Sequence, residues 1–273
     1  MLTTAMAPAR VDGVDLHYEL RGTGPRVLFC NGSGTTLEGA RLLLDLFADG
    51  VTLLAYDYRG LGRSGPAPAP YGMDRCAADA LGLLDAVGWD TARVVGVSFG
   101  GMVAQELAVT APDRVERLAL LCTSAGGDGG SSYPLHDLLD LPPDEATAVR
   151  RTLVDTRFDA AWLADHAHDR ALVDLLSRSG DGNGGTSGPG QRAQMEARRG
   201  HDVWDRLDRV TAPTFVAFGR YDPIAPPANA TAIASRIPGA ELHGYEGGHA
   251  FFVQDPVALP DVRDFLTGAG PVD

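Results

Sequence analysis

Ser98 has the sequence surroundings of a serine nucleophile. It is the centre of a G-x-S-x-G pattern at positions 96–100, between the apolar run RVVGV and the small-residue segment GGMVAQELA, which together indicate a strand, a sharp turn and a helix. In such a turn the serine is held at positive φ, which lifts its Oγ clear of the sheet edge. Side chains two residues before and after it would clash, so glycine suits both positions. A plain glycine-rich turn with an exposed serine is the alternative.

A serine hydroxyl is a weak nucleophile without a base, and the base needs a group that orients it. Among the seven histidines, His249 stands out because its segment GGHAF directly follows the last predicted strand, where a loop crosses the carboxyl edge of the sheet. Asp222 follows the predicted strand 214–218 and reaches the same edge. The chain order Ser98, Asp222, His249 matches one known order of a Ser-His-Asp triad. His243 is the next candidate for the base, and a turn-forming role before a proline is the alternative for Asp222.

A tetrahedral intermediate also needs backbone donors for its oxyanion. We expect one donor to be the N–H of Phe99, directly after the nucleophile, and the other to come from the loop after the apolar run 26–30. In that loop we favour the Ser33 N–H, with the Gly34 N–H or the Asn31 side chain as alternatives. Candidate substrate contacts lie in this loop, near the proposed triad or in the central insertion of the chain: Asn31, Gly32, Gly34, Met102, Trp162, Phe251.

Alternating strand and helix patterns must position these groups. This alternation is typical of a mostly parallel sheet that is covered by helices on both faces. Short apolar runs predict the strands, and apolar residues at helical spacing predict the helices. The predicted strands are 14–20, 26–30, 51–56, 93–97, 115–122, 214–218 and 240–245, and the predicted helices are 37–47, 73–87, 99–110, 228–236 and 259–266.

The stretch 124–210 interrupts the alternation. It carries helical patterns without a convincing buried strand, so we interpret it as a helical cap over one end of the sheet. Its segment SRSGDGNGGTSGPGQ, residues 177–191, is glycine-rich and buries too little apolar surface to offset the entropy of ordering it. We therefore expect a mobile loop there, whose shortening changes the free energy of unfolding by about 1 kcal/mol or less.

Four motifs in order resemble the α/β-hydrolase superfamily. They are the segment around Ser98, YDYRGLGRSG at 56–65, GRYDPIAP at 219–226 and GGHAFF at 247–252. Within the superfamily the chain is similar to enol-lactonase-like and small-ester hydrolases in GMVAQELA and ARRGHDVWDRL, and to anthracycline methyl esterases around YDPIAP. One departure is Asn31, which stands in the oxyanion loop where the family usually has histidine.

The resemblance implies an α/β-hydrolase fold with an eight-stranded, mostly parallel sheet and helices on both faces. The core would comprise residues 1–123 and 211–273, and the helical cap residues 124–210. It also implies a serine hydrolase that cleaves a small carboxylic ester or lactone through an acyl-enzyme, without a metal or an organic cofactor. Carbon–carbon bond hydrolysis, perhydrolysis on the same triad, and a non-enzymatic ligand-binding or receptor role are the alternatives.

Composition restricts the partners and the compartment. The 273 residues are 44% hydrophobic, which is enough for one sizeable core. The net charge of −13 argues against nucleic acid or an anionic membrane as the main partner, so we expect a small-molecule substrate, and the oligomeric state stays open. With no signal-peptide pattern and no apolar run of about 18 residues, we expect a cytoplasmic protein. The three cysteines, Cys30, Cys76 and Cys122, are interpreted as reduced core thiols.

The segment 60–65 matches G-x-G-x-x-G after a predicted strand, a pattern shared with dinucleotide sites. Such a site needs a helix to begin there, so that its N-terminus faces the pyrophosphate. Prolines at positions 66, 68 and 70 follow instead, and a helix does not run through them. We therefore predict no NAD site. The resemblance to the α/β-hydrolase superfamily implies that this segment is a structural loop, shaped by Asp57 and Arg59.

Overall fold

An eight-stranded sheet forms the centre of the protein. The computed structural model describes residues 3–5, 7–179 and 188–268. The strands of these described residues are β1 Thr3–Ala5, β2 Ala9–Val11, β3 Val14–Leu16, β4 Tyr18–Gly22, β5 Arg26–Cys30, β6 Thr52–Tyr56, β7 Ala92–Val97, β8 Val115–Leu121, β9 Thr214–Gly219 and β10 Glu241–Tyr245. The main sheet has the order β1-β4-β6-β5-β7-β8-β9-β10. Its β1–β4 and β4–β6 pairs are antiparallel and its other pairs are parallel. The predicted eight-stranded, mostly parallel sheet is confirmed.

The N-terminal strand pattern is divided between two sheets. The apolar alternation of residues 14–20 predicts one strand, but β3 pairs with β2 in a small hairpin while β4 joins the main sheet. The change occurs at His17, whose carbonyl oxygen accepts the Asp57 N–H at 2.9 Å. The alternation of apolar and polar residues continues through this change of pairing partner. The two-residue period alone therefore predicts a single strand.

Helices cover both faces of this sheet. The helices of the described residues, including those outside the sheet's faces, are α1 Arg41–Phe47, α2 Met73–Ala86, α3 Phe99–Thr110, α4 Pro143–Thr152, α5 Ala160–Asp165, α6 Ala167–Ser179, α7 Pro189–Arg199, α8 Pro227–Arg236, α9 Phe251–Gln254 and α10 Ala258–Thr267. On one face α2, α3 and α8 bury Leu83, Leu107 and Ile233 in the larger apolar cluster. On the other face α1 and α10 bury Leu44 and Val262 in a second cluster. Because the central strands are covered on both sides, their sequences are continuous apolar runs.

The loop after β6 is held by Asp57, as the sequence predicts. Its Oδ1 accepts the Leu37 N–H at 2.7 Å and its Oδ2 accepts the Arg63 N–H at 2.9 Å. Arg59 donates from Nε to the Asp79 carboxylate of α2 at 2.6 Å. Since α2 begins only beyond the three prolines, no helix starts at the glycine-rich pattern in this described loop.

The stretch 124–210, which the sequence predicts to be a cap and which is called the cap here, lies between β8 and β9. Its described residues form α4, α5, α6, α7 and several 3₁₀ turns, and no strand occurs among them. The last part of the stretch packs with the core instead, because Val203, Leu207 and Val210 are buried in the larger cluster. Of the glycine-rich segment 177–191, residues 180–187 lie outside the described part of the chain, and the expectation of mobility falls there.

The three cysteines are unpaired and buried. Burial raises the pKa of the Cys30 thiol to about 12, and the pKa values of Cys76 and Cys122 also lie well above their ordinary value. These thiols are therefore neutral at ordinary pH. Within residues 3–5, 7–179 and 188–268, no helix has the length and apolar character needed to span a membrane.

Candidate active site

Ser98 occupies a strained turn between β7 and α3. Its φ of 55° and ψ of −114° lie in a region that L-residues rarely adopt, at a cost of about 1–3 kcal/mol. Two hydrogen bonds hold the turn: the Ser98 N–H donates to the Leu121 carbonyl at 2.9 Å, and Thr123 Oγ1 donates to the Ser98 carbonyl at 2.8 Å. The strand, turn and helix expected from the sequence therefore carry a serine at positive φ.

The two glycines of the pattern are required by close backbone contacts. A Cβ on Gly96 would lie 2.3 Å from the Gly100 carbonyl oxygen. A Cβ on Gly100 would lie 1.9 Å from the carbonyl oxygen of Cys30, at the end of β5. Both distances are shorter than real carbon contacts, so any side chain at either position would displace the turn that presents Ser98.

The structure brings Ser98, His249 and Asp222 into one hydrogen-bonded chain. His249 Nε2 lies 2.9 Å from Ser98 Oγ, and His249 Nδ1 lies 2.8 Å from Asp222 Oδ2. An ionised carboxylate only accepts, so Nδ1 carries the proton and Nε2 is free to accept the proton of Ser98. His243, the other candidate for the base, instead stacks on the Phe215 ring at 4.1 Å.

Asp222 is built into its loop as a fixed acceptor. Its side chain is fully buried, and Oδ1 accepts the N–H groups of Ile224 and Ala225 at 2.8 and 2.9 Å. Its other oxygen faces His249. A buried carboxylate needs such partners, and here they also determine which oxygen meets the imidazole.

The predicted oxyanion donors lie at the N-terminus of α3 and in the loop after β5. Phe99 is the first residue of α3, so its N–H has no acceptor within the helix. In the loop, the Gly32 N–H donates to Asn31 Oδ1 at 2.9 Å and the Gly34 N–H donates to Gln194 Oε1 at 2.7 Å. Among the described residues no acceptor occupies the Ser33 N–H, which leaves it as the available donor of this loop.

A family model of the alpha/beta hydrolase fold matches residues 25–256. The chain belongs to the alpha/beta hydrolase fold family. It is 28% identical over 249 residues to 3-oxoadipate enol-lactonase 2 of Acinetobacter baylyi (strain ATCC 33305 / BD413 / ADP1), covering 90% of each chain. It is 31% identical over 265 residues to RutD of Variovorax paradoxus (strain S110), whose name provisionally assigns carbamate hydrolysis, covering 92% of this chain and 96% of that one.

A solved structure shows the same fold. The crystal structure of the enol-lactonase from Burkholderia xenovorans LB400 superposes with a TM-score of 0.80 at 24% identity, covering 95% of this chain and 99% of that one. The prediction of an alpha/beta hydrolase is thereby confirmed, as is the predicted similarity to the enol-lactonase branch. The protein is an enzyme of the hydrolase class.

Asn31 shapes the oxyanion loop of this hydrolase from within. It is buried, its Oδ1 accepts the N–H of the next residue, Gly32, and its carbonyl oxygen accepts the Tyr58 hydroxyl at 3.0 Å. The side chain and backbone of Asn31 therefore hold this loop in place. Gly34 has a φ of +68°, a conformation in which a residue without a side chain is favoured.

Three of the predicted substrate contacts have packing partners within this hydrolase. Phe251 is fully buried and stacks on Tyr245 at 5.4 Å, because an aromatic ring at this position completes the second core cluster. Met102 is buried in the larger core cluster. Trp162 belongs to the cap, where its Nε1 donates to Asp169 at 2.8 Å and its ring stacks on His166. All three side chains have partners within the protein, and their contact with a substrate stays a prediction.

Gln194 is a residue of this site that the sequence did not single out. It lies on α7, is fully buried, and contacts the oxyanion loop through the bond to Gly34. Its Nε2 has no hydrogen-bond partner among the described residues. The available signal was the helical spacing of these residues. Gln194 and Arg198 lie one turn apart on the same face of α7 as the apolar Met195, and this face is buried.

Cys122 lies beside the acid and the base. Atoms of Cys122, Asp222 and His249 that are able to bind a metal all lie within 4.8 Å of one another. The carboxylate and imidazole already bond to each other, and burial holds the thiol neutral by raising its pKa. The grouping therefore places a thiol next to the imidazole–carboxylate pair.

Proposed function

We propose that this hydrolase cleaves a small carboxylic ester or lactone through an acyl-enzyme on Ser98. The observation that carries the proposal is the continuous chain from Ser98 Oγ through His249 to the buried carboxylate of Asp222, with bonds of 2.9 and 2.8 Å. A serine in this arrangement has its base within proton-transfer distance and a fixed imidazole orientation.

In the first half-reaction, Ser98 Oγ attacks the substrate carbonyl carbon while His249 Nε2 removes the hydroxyl proton. Asp222 stabilises the imidazolium that forms and stays ionised itself. The negative oxygen of the tetrahedral intermediate accepts hydrogen bonds from the N–H groups of Phe99 and Ser33. Each such donor typically lowers the barrier by roughly 2.7–4 kcal/mol.

Collapse of the intermediate breaks the bond from carbon to the alcohol oxygen, and His249 gives its proton to that oxygen. The acyl group stays on Ser98 as an ester. In the second half-reaction a water attacks this ester, His249 takes a water proton, and the proton returns to Ser98 Oγ as the carboxylic acid leaves. With a lactone, the released alcohol remains attached to the acyl chain, so a single hydroxy acid leaves at the end.

The relatives support a carbonyl substrate with a heteroatom leaving group. One is named an enol-lactonase, and another is named for carbamate hydrolysis. Lactone, ester and carbamate hydrolysis all begin with attack on a carbonyl carbon bonded to oxygen or nitrogen. A purely ligand-binding role would leave unexplained the hydrogen bonds that orient Asp222 and His249 toward Ser98.

The test is a hydrolysis screen of the wild-type protein and Ser98→Ala. The substrates are p-nitrophenyl esters of graded acyl length, a set of lactones and a p-nitrophenyl carbamate. We expect turnover of at least one ester or lactone by the wild type and its loss in the folded Ser98→Ala variant. Hydrolysis of none of these substrates, or equal rates for both proteins, would contradict the proposed function.

A further inference from the structure

The loops that carry the acid and the base contact one segment of the cap. This segment, residues 154–157, follows α4 and is called the cap strap here. The His249 N–H donates to the Val154 carbonyl oxygen at 2.7 Å. Two residues further on, the Thr156 N–H donates to the carbonyl oxygen of Tyr221, the neighbour of Asp222, at 3.0 Å. The cap strap therefore joins the two loops through its backbone.

Asp155, in the middle of the cap strap, extends this connection through its side chain. Its carboxylate is fully buried. It accepts Arg157 Nε at 2.9 Å and Nη2 at 2.7 Å, and it accepts Gln254 Nε2 at 3.1 Å. Gln254 Oε1 in turn accepts the N–H of Gly248, the residue before His249, at 2.9 Å. Hydrogen bonds thus run from Asp155 through Gln254 to the catalytic histidine loop.

The cap strap also packs closely against the loops that carry Asp222 and His249. A Cβ on Gly248 would lie 2.1 Å from the Val154 carbonyl oxygen, so only glycine permits this approach. The Arg157 guanidinium lies 3.9 Å from the centre of the Tyr221 ring, and its Nη1 lies 3.6 Å from Glu246. Arg157 therefore contacts Asp155 and also Tyr221 and Glu246, which lie near Asp222 and His249 in the chain.

We propose that Asp155, which belongs to the cap, is a positioning residue that controls the distance between His249 and Ser98. The inference rests on the proposed function of the triad. A buried carboxylate is costly unless it is paired, and the described partners of Asp155 belong to the cap strap or to the segment that carries His249. Loss of these bonds frees the Gly248–His249 loop to shift, and a displacement of about 1 Å costs up to roughly 100-fold in rate.

A swap of the donor and the acceptor tests this role. Gln254→Glu keeps the acceptor for Gly248 but faces Asp155 with a second carboxylate, and Asp155→Asn removes the negative charge. In the double variant, the new amide at position 155 donates to the new carboxylate at position 254 and restores that bond, while the bond from Arg157 Nη2 is lost in Asp155→Asn and in the double variant alike. We expect each single variant to lower kcat by about tenfold or more with KM changed by less than about threefold, and the double variant to recover most of the loss.

A second readout is independent of the substrate. The rate constant for phosphonylation of Ser98 by a small fluorophosphonate measures nucleophile activation alone, and it should fall and recover in parallel with kcat. Gln254→Met removes both hydrogen bonds without introducing a charge at a half-buried position, so it provides the same test if an Asp155 variant does not fold. All rates are compared at a temperature where circular dichroism shows each variant folded.

Glu106→Gln is the matched control. It weakens another buried carboxylate–arginine pair, in which Glu106 accepts Arg206 at 2.6 and 2.7 Å, and which lies eight residues along the chain from Ser98. We expect it to lower Tm but to leave kcat and the phosphonylation rate unchanged. If the Asp155 and Gln254 variants behave like this control, Asp155 is merely structural and the inference is wrong. If the wild-type protein neither hydrolyses an ester nor is phosphonylated, the proposed function itself fails.

Discussion

The Gln194 side-chain oxygen of the cap accepts the Gly34 N–H of the oxyanion loop at 2.7 Å, although 160 residues separate them in the sequence. Gln194 is fully buried at this contact. Because the bond occupies the Gly34 N–H, the neighbouring Ser33 N–H is the loop donor that stays available to an oxyanion. The cap therefore contacts the loop after β5 through Gln194, and it contacts the loops that carry Asp222 and His249 through the cap strap around Asp155.

Gln194→Leu should impair catalysis more than folding. The change leaves the buried Gly34 N–H without an acceptor, at a cost of about 1–3 kcal/mol, and the loop is expected to turn to find one. We expect kcat/KM on the best ester to fall by roughly 10- to 100-fold, with a smaller loss for Gln194→Glu, which keeps the acceptor. Arg192→Ala, on an exposed part of α7, is the control and should match the wild type. Wild-type kinetics for Gln194→Leu would contradict a role in the oxyanion loop.

Asp222→Asn should leave the geometry intact but the imidazole in the wrong tautomer. Ile224 and Ala225 donate to one oxygen of Asp222, so the amide oxygen of the variant takes that place and its NH₂ faces His249 Nδ1. The proton then resides on Nε2, which no longer accepts from Ser98. We expect kcat to fall by roughly 10³- to 10⁴-fold with KM little changed. Steady-state kinetics with a crystal structure of the variant tests this, and a loss of less than about tenfold would argue against Asp222 as the orienting acid.

The hydrogen-bonded arrangement of Ser98, His249 and Asp222 was predictable because each of these residues is marked by its local sequence. Ser98 lies between glycines that the turn requires, and Asp222 and His249 each follow a strand end at the same sheet edge. Parallel strands bring their carboxyl ends together, so position along the chain was enough to assemble these groups.

Gln194 and Asp155 were not predictable in this way. Their bonds cross 160 and 99 residues of sequence, and polar residues in helical or loop segments usually face solvent. The packing partners of the aromatic candidates were unpredictable for a related reason. Phe251 and Trp162 lie close to the site motifs or in the cap, but a ring packs equally well against Tyr245 or His166 as against a substrate.

The stability of the protein should depend on pH through His201. Burial lowers the pKa of this imidazole from its ordinary 6.5 to about 4 in the folded state. Below pH 6.5 the unfolded chain binds a proton that the folded protein does not, so the free energy of unfolding falls as pH drops toward 4. The loss from this group reaches about 3 kcal/mol.

Thermal melts of wild type and His201→Gln between pH 7 and pH 4 measure this contribution. Carboxylates titrate in both proteins, so the difference between the two curves isolates His201. We expect the Tm of the variant to fall less steeply with decreasing pH. Parallel curves would mean that His201 titrates normally in the folded protein.

The central claim is that Ser98 is the nucleophile that His249 activates, and covalent labelling tests it most directly. The protein is incubated with a fluorophosphonate, digested, and the modified residue is located by mass spectrometry. We predict a single phosphonyl adduct on Ser98, no adduct in Ser98→Ala, and labelling at least about 100-fold slower in His249→Ala, because the thiols are buried and the activated serine is the accessible nucleophile. An adduct on another residue, or undiminished labelling of the His249→Ala protein, would contradict the account.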